Sequence, residues 1–139
     1  MKHGKGQFKW ADGSSYEGDL KDNTLHGHGK YTWADGRVYE GQWDSNKLHG
    51  QGKYTWKDGR AYEGEYVENE RHGRGVFVWP RGNKYDGYWK NGKQSGPGIM
   101  YNTVGESLYG LYEDNKRVRI IKKEEYDAAV AALEKEENE

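Results

Sequence analysis

The sequence predicts a mainly β protein: an elongated single-layer antiparallel meander of hairpins, capped at its C-terminal end by an α-helix. Three observations predict this fold class. Nearly the same phrase recurs every 23 residues, each copy alternates apolar and polar residues with the period of a strand, and only the C-terminal residues switch to helical spacing. A fixed period of this size is typical of stacked units that bury one continuous core.

Two short phrases define the repeat. The HGxG phrase begins at His3, His26, His49 and His72, with a degenerate copy, SGPG, from Ser95. The YEG phrase begins at Tyr16, Tyr39 and Tyr62, reads YDG from Tyr85, and has LYG from Leu108 as its degenerate fifth copy. The copies follow one another without insertion. We therefore predict an array of five repeats over residues 3–115, the fifth degenerate.

Each repeat is predicted to form one β-hairpin, which gives ten strands in all. Tyr31 and Trp33 share one face of the first strand, and Tyr39 and Trp43 share the same face of the second. Between them, ADGR is a turn in which Gly36 can take a positive φ. The glycines of HGxG are expected to connect one hairpin to the next.

The composition sets limits on the class of protein. Mean hydropathy is −1.30 and hydrophobic residues make up 32 %, but six Trp, twelve Tyr and two Phe supply the apolar area that a core needs. The absence of Cys excludes disulfides and Cys-based metal sites. No apolar run has the length of a membrane span or signal peptide, so we expect a soluble, cytoplasmic protein. A net charge of −1 argues against nucleic-acid binding.

Most of the aromatic side chains fall on one face of the predicted sheet. They can pack among themselves in a curled sheet, or part of the stripe can stay open as a groove. The central repeats offer the longest uninterrupted aromatic surface. The residues predicted to line a partner-binding groove there are Tyr39, Trp43, Tyr62, Tyr66, Tyr85 and Trp89.

The frame YEGxW...LHGxGxYxWxDGxxY resembles the MORN (membrane occupation and recognition nexus) repeat, and the resemblance extends from His3 to Tyr112. It implies a twisted, groove-forming sheet that serves as a scaffold or partner-binding module, often in cytoskeletal, ciliary or membrane-associated assemblies. Such arrays also occur joined to catalytic domains, as in some phosphatidylinositol phosphate kinases. The fifth repeat departs from the pattern at Ser95, Asn102 and Leu108, which suggests a terminal cap.

Neither the histidines nor the carboxylates predict chemistry. Equivalent histidines lie two strands apart, about 9.6 Å, which is too far for one Zn²⁺ whose ligands each lie about 2 Å away. His26 and His28 are closer but lack a third ligand. Each repeat carries an equivalent carboxylate, beginning with Glu17, and these carboxylates have similar surroundings. A general acid and a general base need different surroundings. We predict a non-enzyme with no catalytic residues, no metal and no cofactor.

The C-terminal part of the chain is predicted to contain a basic linker at 116–123 and a helix with an acidic tail at 124–139. Tyr126, Val130 and Leu133 recur at helical spacing, so a helix over 124–136 is expected to fold back onto the sheet. There the otherwise polar face becomes apolar, at Val76, Val78, Tyr88, Ile99, Tyr101, Tyr109 and Leu111. Pairing of the helix with another copy or with a partner is the alternative.

Two functions fit the sequence. The first is a non-catalytic scaffold that binds a peptide or helix of a partner protein along the aromatic groove. The alternative is a membrane-surface module that binds anionic lipid such as a phosphoinositide. Its candidate contacts are Lys116, Arg117, Arg119, Lys122 and Lys123. An uncovered edge strand around Gly6–Trp10 also suggests an edge-mediated homodimer or a longer parent array.

Overall fold

The computed structural model describes residues 4–137 of the chain. His3, which opens the first HGxG copy, and residues 138–139 of the predicted acidic tail lie outside the described residues. Within them, one antiparallel sheet contains eleven strands, each paired with the next in sequence. The strands are β1 (Gly4–Lys9), β2 (Ser15–Lys21), β3 (Thr24–Thr32), β4 (Val38–Asp44), β5 (Lys47–Thr55), β6 (Ala61–Val67), β7 (Glu70–Val78), β8 (Lys84–Lys90), β9 (Lys93–Tyr101), β10 (Ser107–Glu113) and β11 (Lys116–Ile120), and the helix is α1 (Lys123–Glu137).

The predicted meander is confirmed, but it has one strand more than the ten expected. Residues Lys116–Ile120 form β11 beside β10, so the prediction of a linker over 116–123 is wrong for these residues. Asp114 and Asn115 both take positive φ, 50° and 70°, and such a two-residue turn returns the chain directly alongside the preceding strand. The helix begins one residue before the predicted Glu124.

The DG turns are confirmed. The Trp33 N–H donates to the Arg37 carbonyl at 2.9 Å, and the Gly36 N–H donates to the Trp33 carbonyl at 3.0 Å. Gly36 has a φ of 98°, in the region that favours glycine. The same pair of bonds closes the turns that follow Trp10, Trp56 and Trp79.

The expectation that HGxG connects successive hairpins is wrong. The connection is a two-residue turn that precedes each copy, such as Ser45–Asn46, where φ is 46° and 71°. HGxG itself lies within a strand and forms a bulge. In β3 the bulge is opposite Asp19, whose carboxylate accepts the His28 N–H at 3.0 Å.

Asparagine residues join the turns of successive repeats. Asn46 donates its N–H to the Leu25 carbonyl at 2.9 Å, and its Oδ1 accepts the Leu25 N–H at 2.7 Å. Asn69 makes the same two bonds with Leu48. These reciprocal bonds satisfy backbone groups at one end of the strands and hold each turn against the one before it.

The core is built on the tyrosines of YEG. Tyr16, Tyr39, Tyr62 and Tyr85 are at most 1 % exposed. The Tyr39 ring lies across Gly41 and Gly52, where a Cβ on Gly52 would come within 2.1 Å of the tyrosine Oη. That hydroxyl donates to the Gln42 carbonyl at 2.9 Å. The paired glycines therefore allow a large side chain to fold flat over its own sheet.

The helix covers the apolar end of the opposite face, as expected. Tyr126 is buried, with its ring centroid 5.0 Å from that of Tyr109, and Val130 and Leu133 are half-buried. Strands β9 and β10 provide this contact surface, and Tyr88 of β8 is also buried. The helix thus caps its own chain in the described residues.

The rest of that face is polar and mostly exposed. The exposed side chains include Lys9, Glu17, Lys30, Glu40, Gln42, Lys53 and Glu63. Asp19 and Glu65 are half-buried because their carboxylates lie against the bulges, beside Gly27 and Gly73 respectively.

Candidate binding surface

The aromatic face has a buried layer and an accessible layer. The six residues predicted to line a partner groove belong to the buried layer, with exposures between 0 and 6 %: Tyr39, Trp43, Tyr62, Tyr66, Tyr85 and Trp89. Their rings pack edge to face, as in the Tyr39–Trp43 pair, at 5.2 Å and 89°. Trp43 also donates its Nε1–H to the Gly29 carbonyl at 3.1 Å. The prediction that these six line the accessible surface is wrong for five of them, which form the core beneath it, whereas Trp43 also lines the groove described next.

The accessible layer contains a groove of about 860 Å³ that crosses β1–β5 and ends at the turn between β6 and β7. Its aromatic side is formed by Phe8, Trp10, Tyr31, Trp33, Trp43 and Tyr54. Its other side is formed by Leu20, Leu25 and Leu48 together with Asn23, Asn46 and Asn69 of the turns. None of these residues carries a charge. A mainly apolar surface with amides along one rim suits an apolar chain segment better than a polar small molecule.

Stacked arginines extend the aromatic rim. The Arg37 guanidinium lies 5.0 Å from the Trp33 ring centroid, forms an ion pair with Asp35 at 2.8 Å and donates to the Tyr54 hydroxyl at 3.0 Å. The backbone N–H and guanidinium of Arg37 hold the pKa of the Asp35 carboxyl below its ordinary value. Arg60 repeats the stacking, over Trp56, and the ion pair, with Asp58. Exposed pairs of this kind add little stability, but they fix the position of the side chains around the rim.

The sequence profile of the MORN repeat matches residues 1–15, 16–36, 39–59, 62–84 and 85–106, which is more than half of the chain. The chain belongs to the MORN repeat family. A comparison with curated proteins gives no match. MORN repeats are interaction and membrane-associated modules and are not catalytic units.

The MORN matches end at residue 106, so β10, β11 and α1 lie beyond them. The five cations proposed to contact lipid are all exposed in this part of the chain. Two of them are neutralised by the helix: Arg119 forms an ion pair with Glu125, and Lys123 forms one with Asp127 at 2.8 Å. Lys116, Arg117 and Lys122 form no ion pair with another residue in the range 4–136.

Strand β11 also carries two exposed apolar side chains between these cations. Val118 is 59 % exposed and Ile120 is 56 % exposed. The alternation of cations and β-branched residues in KRVRI was the available sign of a strand. Once β11 is recognised, the MORN array has a basic edge with an exposed apolar surface.

The histidines of the MORN array do not assemble into a site. His26 Nδ1 lies 3.6 Å from Asp44 Oδ1. Across residues 4–136, no three His, Cys, Asp or Glu side chains are grouped so that they could hold a metal ion. In the same part of the chain, α1 lacks the length and apolar character needed to cross a bilayer.

Proposed function

We propose that this chain is a non-catalytic MORN scaffold that binds a peptide or helix of a partner protein in the groove across β1–β5. The observation that carries the proposal is the groove itself, an uncharged and largely aromatic channel on the outside of a rigid sheet. Because MORN arrays often belong to such assemblies, we propose that the complex with the partner forms in the cytoplasm, at the cytoskeleton, a cilium or a membrane.

The groove has the physical properties of a recognition surface. Trp10 is 43 % exposed and stacks on Tyr31 with 5.5 Å between ring centroids. Aromatic side chains with few rotatable bonds offer contact area at low entropic cost, and they dominate the energetics of most interfaces. The sheet beneath is fixed by the turn bonds and the buried tyrosines, so a partner would meet a preformed surface.

A displayed library of random peptides, selected on the immobilised full chain, tests the proposal without knowledge of the partner. The affinity of the selected peptides is then measured for the natural chain and for a variant that combines Trp10→Ala with Leu25→Ala. The matched control is Lys30→Ala combined with Lys53→Ala, on the opposite face. We expect the groove variant to lose more than about tenfold in affinity, because it removes two apolar contacts.

Circular dichroism establishes that each variant is folded before affinities are compared. Peptides that bind the folded groove variant as tightly as the natural chain would overturn the proposal. So would peptides whose binding is abolished by the control, because they would identify the polar face as the binding surface.

A second candidate, binding to anionic lipid, is favoured by one observation: exposed Val118 and Ile120 lie among cations on β11. Apolar side chains flanked by Lys and Arg suit the boundary between headgroups and acyl chains. The proposed contacts are reduced to Lys116, Arg117 and Lys122, since α1 neutralises the other two.

Co-sedimentation with phosphatidylcholine vesicles, with and without a phosphoinositide, tests this candidate. We expect pelleting only with the phosphoinositide, lost at high salt because surface charges are screened. The variant Val118→Ser with Ile120→Ser should pellet less than the natural chain. Val104→Ser, which changes a 77 % exposed valine outside β11, in the turn before β10, is the matched control. Equal pelleting with neutral vesicles would eliminate the electrostatic mechanism.

A further inference from the structure

One position of the repeat changes character along the aromatic face. At this position each repeat has one residue that pairs with a residue of the preceding strand. The partners are, in chain order, Leu20, Trp43, Tyr66, Trp89 and Tyr112. In chain order the position holds Leu25, Leu48, Arg71, Gln94 and Arg117. The two leucines lie in the groove. The row therefore begins apolar at β3 and β5 and becomes cationic at β7.

Arg71 is held in a fixed position on this face. Its guanidinium carbon lies 4.7 Å from the Trp89 ring centroid and 5.3 Å from that of Phe77. Its Nη2 donates to the Gly92 carbonyl at 3.0 Å, and the residue is half-buried. A guanidinium has five N–H donors in a planar fork, so one bond uses a small part of its capacity.

The charge of Arg71 has no internal counter-ion. Among residues 4–136, no carboxylate forms an ion pair with it, whereas Arg37 and Arg60 on the same face are paired with Asp35 and Asp58. Burial lowers the pKa of Arg71 from its ordinary value. An arginine still remains charged, so a carboxylate supplied from outside would offset the desolvation of this cation.

We propose that the protein segment bound in the groove carries an acidic residue that pairs with Arg71. This inference rests on the proposed groove function and specifies the chemistry of its partner. The apolar part of the segment lies over Leu25 and Leu48, and its carboxylate accepts hydrogen bonds from the fork of Arg71. The segment is thereby oriented, with its apolar end towards β1 and its acidic end towards β7.

The strand spacing predicts the distance in the partner between the apolar residue that lies over Leu48 and the acidic residue that pairs with Arg71. From β5 to β7 is two strand separations, about 9.6 Å. A helix rises about 1.5 Å per residue, so the acid should lie about seven positions from the apolar residue over Leu48, which keeps both on the same helical face. In an extended peptide the interval should be about two or four residues, because side chains three residues apart point to opposite faces.

The library selection is therefore run on the natural chain and on Arg71→Leu. Leucine already occupies the equivalent position in two repeats, and Arg71→Gln, which copies Gln94, is a second variant. Arg60→Ala is the matched control, since it removes a paired arginine from the same face. We expect peptides selected on the natural chain and on Arg60→Ala to share apolar residues and one Asp or Glu at a fixed interval. Peptides selected on Arg71→Leu should keep the apolar residues and lose the acid.

A binding cycle measures the pairing directly. Replacing the acid of a selected peptide by its amide should weaken binding to the natural chain at least tenfold and leave binding to Arg71→Leu and Arg71→Gln unchanged. Apolar peptides without acid enrichment on the natural chain would overturn the role of Arg71 and leave groove binding intact. Enrichment of an acidic residue among peptides selected on both Arg71 variants would also overturn the role of Arg71 and leave groove binding intact. A failure to select any peptide on the natural chain would overturn both proposals.

Discussion

The part of the sheet formed by β1–β6 and the part formed by β7–β11 use the same strand pattern to make opposite surfaces. In β1–β6 the polar face is open to solvent and the aromatic face carries an uncharged groove. In β7–β11 the polar face turns apolar beneath α1, and the aromatic face gains Arg71. The comparison teaches that the tyrosine–glycine core sets the fold, while substitutions at the remaining positions decide what each stretch of sheet contacts.

The largest effect should come from the feature that both parts share, the buried tyrosines. Burial raises the pKa of Tyr16 and of Tyr39 to about 12, and it raises the pKa of Tyr62 and Tyr85 as well. The folded state then holds its phenolic protons above the unfolded pKa of about 10. Stability is fully present below that pH and is lost as the pH rises towards 12.

Thermal unfolding followed by circular dichroism from pH 8 to pH 12 measures this loss. We expect a constant Tm up to about pH 10 and a steep fall above it. A Tm that stayed constant to pH 12 would show that these hydroxyls do not resist ionisation in the folded state.

The next largest effect should come from filling the space under one tyrosine. In Gly52→Ala the new Cβ would lie 2.1 Å from the Oη of Tyr39, so the ring must move. We expect a loss of about 3 kcal/mol in the free energy of unfolding, measured by urea denaturation. Gly6→Ala is the matched control, because Gly6 occupies the same position of the repeat and its nearest side chain is the edge of Phe8 at 3.0 Å.

The control should lose less than about 1 kcal/mol, since Phe8 is half-buried at the end of the sheet and can shift. Equal losses at the two glycines would mean that the tyrosine contact is not what requires glycine in this phrase.

Most of the fold was predictable because its signals are local. Alternation along Tyr31 and Trp33, the DG pair before Arg37 and the helical spacing from Tyr126 each act within a few residues. The extra strand had a local signal as well, since the pair Asp114–Asn115 repeats the turn that Ser45–Asn46 makes earlier in the chain.

The groove was less predictable, because alternation gives the face of a residue and not its depth. Tyr39 and Trp10 share the aromatic face, yet one is fully buried and the other is 43 % exposed. The difference arises because Tyr39 folds across Gly41 of its own strand and Gly52 of β5, and that contact depends on the register of the two strands.

A smaller effect should come from loosening the helix that distinguishes the C-terminal part. Tyr126→Ala removes the side chain that packs on Tyr109, and we expect a loss of about 2 kcal/mol together with binding of an apolar dye. Glu134→Ala, on the exposed side of the same helix, should change neither property. Dye binding without a change in stability would show that α1 covers the apolar face without stabilising the sheet.

The smallest effect should come from the polar face of the N-terminal part. Lys53 stands between Glu40 and Glu63 on neighbouring strands, and Val76 occupies the equivalent position on β7. Lys53 is exposed and its neighbours are solvated, so Lys53→Ala should shift the free energy of unfolding by no more than about 0.5 kcal/mol. Val76→Ala should cost about 1 kcal/mol, because this half-buried valine lies on the apolar part of the face. Urea denaturation of both variants measures these two changes in the free energy of unfolding. A loss at Lys53 as large as that at Val76 would mean that the polar face of β1–β6 is packed and not open, which would remove the contrast between the two parts of the sheet.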